Sequence, residues 1–125
     1  MIPPIFPTVA ASTAVQALIG TGVGNDLVRF YEFGRAPQRA KKPYAVWQNI
    51  NGLPENYLDS LPDTDSFTAQ IDVYADTAAA AEQVAIAIRD AIEPVAYVTR
   101  WGGQSRDPDT QNYRETFDTE WIVYR

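Results

Sequence analysis

The chain contains no histidine and no cysteine. Histidine is the usual general base near neutral pH and the commonest metal ligand. Without either residue there is no Ser-His-Asp or Cys-His nucleophile, no disulfide framework, and no zinc site built on nitrogen or sulfur. Only carboxylate chemistry or oxygen-ligand metals survive. Bases are also scarce. Ten Lys and Arg stand against sixteen Asp and Glu, a net charge of −6. Such a chain is a poor general ligand for nucleic acid or anionic lipid. No apolar run reaches the ~18 residues expected of a membrane span. The opening stretch MIPPIFPTVAAS has no basic residue and three prolines, unlike a secretory signal. A soluble, cytoplasmic setting with no membrane partner is expected.

What is present suits one domain over residues 1–125, with 46% hydrophobic residues to fill a single core. The stretch PTVAASTAVQALIG (7–20) predicts a first helix. Its Ala11, Ala14, Val15, Leu18 and Ile19 follow the helical apolar spacing, and Gly20 ends it. LVRFYEF (27–33) reads as a strand rich in aromatic and β-branched residues. YAVWQNI (44–50) alternates, with Tyr44, Val46, Gln48 and Ile50 on one side. NGLPENYLDSLPDTD (51–65) reads as a loop, with Asn-Gly, two prolines and four acids.

In SFTAQIDVYAD (66–76), Phe67, Ala69, Ile71, Val73 and Ala75 alternate with polar residues, the pattern of a half-buried strand. At Asp76 the period changes from 2 to 3.6. Asp76 or Thr77 can cap the helix that follows. Ala81, Val84, Ala85, Ile88 and Ile92 then share one helical face, and Pro94 ends the run. VAYVTRW (95–101) is a further strand, GGQSRDPDTQN (102–112) a polar loop, and YRETFDTEWIVYR (113–125) a final strand. The order α-β-β-β-α-β-β lacks regular βαβ alternation. It predicts an α+β fold: a mostly antiparallel sheet with two helices packed on one face.

Three stretches invite a chemical reading, and each has a plainer one. Asp107 and Asp109, with Asn112 and Glu115 beyond, have the alternating spacing of a calcium loop. The sixth position is Asn112 rather than glycine and the ligand run is incomplete, which favours a solvated loop. The acids of 51–65 could pair for glycoside hydrolysis. That chemistry needs one carboxyl held in an apolar pocket, which a proline-broken polar loop does not offer. GTGVG (20–24) lacks the lysine and hydroxyl of a phosphate loop and follows a helix instead of a strand.

Charge is distributed unevenly. Arg29, Arg35, Arg39, Lys41 and Lys42 stand near one acid, Glu32. From Glu55 to Glu82 there are seven acids, among them Asp59, Asp63 and Asp65, and no base. A solvated surface explains this blandly, and a self-complementary surface for head-to-tail assembly explains it sharply. Ile86 lies among Glu82, Arg89 and Glu93 on a helical wheel, opposite the apolar stripe. That makes it a candidate exposed contact.

APQRAKKPYAVWQ, QIDVYADTAAAAEQVAIAIRDAI and the closing YRETFDTEWIVYR, in this order after PPIFP, resemble the tail completion family of long-tailed bacteriophages. Its members are also called tail terminators or tail-to-head joining proteins. The resemblance covers nearly the whole chain and rests on no active-site signature. It implies a virion structural protein with no catalytic residues, cofactor or metal. It further implies a hexameric ring on the head-proximal end of the tail tube that stops tube polymerisation. Its implied partners are other copies of itself, the tail tube protein and a head-completion connector, with DNA only passing through the channel. A small acidic-site or metal-dependent hydrolase and a monomeric binding module are the alternatives. The candidate interface comprises Arg35, Arg39, Lys41, Lys42, Glu55, Asp59, Asp63, Asp65 and Ile86.

Overall fold

The computed structural model describes residues 4–38, 40–54, 64–106 and 112–124. The elements in order are α1 (Ile5–Ala10), α2 (Thr13–Ile19), β1 (Phe30–Glu32), β2 (Tyr44–Pro54), β3 (Thr64–Ala75), α3 (Ala78–Ile92), β4 (Tyr97–Arg106) and β5 (Tyr113–Tyr124). The strands form one five-stranded sheet in the order β1-β2-β3-β5-β4. β1 runs parallel to β2, and every other neighbouring pair is antiparallel. This is the expected α+β architecture.

The change of period at Asp76 becomes the centre of the molecule. On β3 the residues Phe67, Ala69, Ile71, Val73 and Ala75 are buried, and on α3 so are Ala81, Val84, Ala85, Ile88 and Ile92. These two apolar sides share one core with Phe117 and Trp121 of β5 and with Ile5, Val9, Val15 and Ile19 of α1 and α2. All three helices therefore cover the same face of the sheet. Thr77 provides the cap for α3: its hydroxyl accepts from the Ala80 N–H at 3.1 Å. One polar group inside the core is fully satisfied. Thr119 Oγ1 donates to the Ala69 carbonyl and accepts from Trp121 Nε1, at 3.1 and 2.9 Å.

Several boundaries differ from the sequence expectation, each for a local reason. The single helix expected over 7–20 is two short helices. Ser12 is extended (φ −77°, ψ 124°) and its hydroxyl accepts from the Val15 N–H, so it starts a new helix instead of continuing the old one. Ala11 and Ala14 are consequently exposed, not part of the buried stripe. Gly20 does end the segment. Its φ is +121°, and a Cβ there would collide with the Leu27 carbonyl.

The strand expected over 27–33 shrinks to three residues. The Arg29 N–H donates to the Ile19 carbonyl at the end of α2, so the ladder cannot begin earlier. It stops at the Gly34 turn, where the Arg35 N–H closes on the Glu32 carbonyl. Conversely, Asn51-Gly52 is not a turn. β2 passes through it by a bulge between Asn49 and Asn51 that accommodates Ile50 as an extra residue. The expected 51–65 loop thus loses both ends to strands. β4 likewise starts at Tyr97 and continues through Gly102-Gly103 with two register shifts. Gly102 backs directly onto the Thr116 carbonyl, leaving no room for a Cβ.

Candidate functional site

Among the described residues no helix packs on the other face of the sheet, and its side chains form connected rows. Tyr31, Tyr44 and Tyr74 form a row across β1, β2 and β3: Tyr31 meets Tyr44 edge to face with centroids 6.2 Å apart, and Tyr44 stacks on Tyr74 at 5.2 Å. Burial pushes the Tyr44 hydroxyl above its ordinary pKa, against the opposing pull of Lys42. Beside this row, Arg114 of β5 donates from Nη2 and Nε to Asp72 Oδ1 of β3, at 3.1 and 3.3 Å. Gln70 donates to the same carboxylate. Further along, Ser66 donates to Glu120 at 3.0 Å. The parity of these residues follows from strand alternation. Their contacts depend on the strand register.

The basic segment does not act as a uniform positive surface. Lys42 pairs with Asp76 at 3.3 Å, joining the basic segment to the acidic one inside the same chain. Arg35 pairs with Glu32 at 3.5 Å. Arg29 is largely covered and structural: its guanidinium donates to the carbonyls of Pro43 and Leu18. Lys41 is exposed and, among the described residues, forms no ion pair within 4 Å. Asp65 lies on β3, its backbone paired with Pro54 and Val123. Ile86 is half-buried on α3 instead of standing free in solvent. Arg39, Glu55, Asp59 and Asp63 lie outside the described residues, as do Asp107 and Asp109.

Beside β1 two shallow cavities share Leu27 and Tyr31. The larger, about 530 Å³, is walled mainly by Phe6, Ala10, Val28 and Phe30. The smaller, about 340 Å³, is lined by Asp26, Arg29, Lys41 and neighbouring loop residues. The Thr21 backbone N–H and hydroxyl both donate to Asp26 Oδ2, at 3.1 and 3.0 Å. These bonds hold the Asp26 carboxyl below its usual range, assisted by Arg29 and Lys41. Asp26 is therefore ionised and serves a turn, without the raised pKa a catalytic acid requires.

On the helix side of the sheet one carboxyl departs the other way. Glu115 is buried at 3% exposure, and desolvation raises its pKa against the opposing hydrogen bond from Gln104. Gln104 Nε2 reaches both Glu115 Oε2 and the Ala78 carbonyl, at 3.3 and 3.4 Å, so the cluster ties β4 and β5 to the start of α3. Glu82 adds a like charge nearby. Among the described residues no three His, Cys, Asp or Glu side chains group in a way that could hold a metal ion. No helix among them is long and apolar enough to cross a membrane.

Sequence reasoning missed the aromatic row, the Asp72–Arg114 bridge and the Arg89 guanidinium lying 5.2 Å above the Trp101 ring. Tyr74 carried a signal, since it falls on the polar side of its strand, whereas Tyr44 shares its side with Val46, Gln48 and Ile50. Nothing local to either reveals that they are opposite one another.

The family described as tail completion protein gp17 matches the chain over residues 3–124. No curated protein matches it in sequence. Among solved structures, a chain from the "Virion of native gene transfer agent (GTA) particle" superposes with a TM-score of 0.73 at 15% identity, covering 97% of this chain and 92% of that one. "Structure of bacteriophage SPP1 gp17 protein" superposes with a TM-score of 0.58 at 11% identity, covering 97% and 86%. At these identities the two structures share the fold.

Proposed function

Because the chain belongs to the tail completion protein gp17 family, we propose that it is a virion structural subunit of a phage-type tail. In this reading six copies form a ring on the head-proximal end of the tail tube. The ring stops tube polymerisation below and offers a surface to a head-completion connector above. The observation that carries the reading is a family match running from residue 3 to residue 124. The fold neighbour drawn from a gene transfer agent virion supports the same setting.

The physical chemistry fits an output of geometry. The tightly packed strand-helix unit of β3 and α3 holds a sheet whose other face carries no helix and whose two edges pair with no further strand among the described residues. A subunit that touches several neighbours needs several such surfaces. A chain of net charge −6 also disfavours adhesion of DNA passing through a channel.

Electron microscopy of particles assembled without this protein tests the reading. Headless tails of irregular or excess length are expected if it terminates the tube. Headless tails of normal length would assign it to joining alone. Particles of normal form and number would refute it.

A further inference from the structure

We propose that the two free edges of the sheet are the contact between neighbouring copies of this chain, with β4 of one copy lying antiparallel beside β1 of the next. The proposal rests on the reading of the chain as a ring subunit and names the surface that closes the ring.

The two edges match at one height. The register across the sheet runs in a single row from Glu32 on β1 through Trp47, Ile71 and Phe117 to Trp101 on β4. The adjacent row runs from Gln48 through Gln70 and Asp118 to Arg100, and Phe33, whose N–H donates to the Trp47 carbonyl, lies at its β1 end. One edge thus presents Glu32 and Phe33, and the other presents Arg100 and Trp101. Both aromatic residues are exposed, Phe33 at 66% and Trp101 at 41%. Strand alternation puts Glu32 and Trp101 on the helix side of the sheet, where Arg89, itself paired with Asp90 and Glu93, lies over Trp101, and puts Phe33 and Arg100 on the other face, so that across the junction Glu32 meets Trp101 and Phe33 meets Arg100.

Glu32 and Arg100 are each held loosely at home. The Glu32–Arg35 pair is exposed on both sides, and Arg100 reaches Asp118 only at 3.9 Å. Exposed pairs of this kind contribute little, so either side chain can change partner at small cost.

Direction and length agree as well. β1 runs parallel to β2, and the chain direction reverses at β3, at β5 and again at β4. β4 therefore opposes β1, and a sheet continued head to tail makes an antiparallel junction there. β1 has three residues. On β4 the register with β5 shifts on both sides of Arg100–Trp101, which leaves a comparably short stretch, these two residues, in regular backbone at that height. Two unlike edges form a heterologous contact, which repeats from copy to copy until the rotation closes. Leaving both edges bare would invite uncontrolled strand pairing.

The absence of cysteine provides a clean test. A Phe33→Cys/Arg100→Cys variant, oxidised on isolated tail tubes, should give a ladder of covalent oligomers beyond the dimer, because these two residues oppose one another on the same face of the continued sheet. Phe33→Cys or Arg100→Cys alone should stop at the dimer or below. As a companion, Phe33→Arg alone, which sets two cations opposite one another, should slow assembly on tubes by about tenfold at low salt, and Phe33→Arg/Arg100→Glu in one chain should restore it. Restoration by the double substitution separates a lost contact from a damaged fold. If the parent caps tubes while the cysteine pair gives no ladder and the charge substitutions change nothing, the edge contact is wrong and the ring stands. If the parent neither caps tubes nor enters particles, the ring reading fails with it.

Discussion

Glu115 sits where the fold prefers a neutral group. Its folded pKa lies above that of an unfolded glutamate, so the native state is favoured when the carboxyl is protonated. That advantage is full below the unfolded value of roughly 4.3 and is lost as pH rises through the raised folded value. Glu115→Gln removes the titration and keeps an acceptor for Gln104. The variant should be more stable than the parent at neutral pH, with the difference narrowing toward pH 4, as read by urea unfolding at several pH values. A constant difference would show that Glu115 is solvated. Ile88 makes a contrasting case, since it is fully buried between α3 and the sheet. Ile88→Ala should cost about 2–5 kcal/mol in denaturant unfolding. A loss under about 0.5 kcal/mol would mean that the helix packs by another face.

Among the elements, those written in an unbroken period were legible. β3 and α3 could be read because alternation gives way to helical spacing at Asp76 and both apolar sides are long. β1 could not, because its start is set by the bond from the Arg29 N–H to Ile19, a contact between segments that carry no shared pattern. Asn51-Gly52 misled for a related reason: pairing with β3 on one side holds it in a bulged strand where its own chemistry favours a turn. The same limit applies to the candidate interface. The charge segments were visible in the sequence, but that Lys42 meets Asp76, or that Glu32 and Trp101 end one row, is a property of register. The cap of α3 was legible and can be tested alone. Thr77→Ala should cost about 1 kcal/mol, because the Ala80 N–H loses its partner. Thermal unfolding of the variant measures it, and an unchanged transition would transfer the cap to Asp76.

At the scale of the whole molecule, the proposed assembly predicts that charge bears on how copies meet more than on whether each one folds. Reversing Lys41 and Lys42 to Glu breaks one exposed pair, with Asp76, and should lower the stability of the free subunit by less than about 1 kcal/mol. Assembly on tail tubes should slow, most at low ionic strength, because exposed charges act chiefly on the association rate. Equal rates for variant and parent at every salt concentration would leave these lysines as a solvated surface.

The brevity of β1 has a consequence for the order in which the molecule comes apart. β3 is flanked by partners on both sides from Asp65 to Tyr74, whereas β1 is held in the sheet by three residues and, among the described residues, on one side only. Resistance to opening is therefore graded across the sheet, high at β3 and β5 and lowest at the β1 margin. Amide exchange should show Tyr31 and Phe33 exchanging at least tenfold faster than Ile71 and Phe117 in the free subunit, and slowing once a neighbour pairs with that margin. Uniform protection across the five strands would contradict the gradient. In the proposed ring, a margin that frays alone and settles against a second copy would make each closed contact its own reinforcement. Partial rings would then be the weakest state of the assembly, and complete ones the most durable.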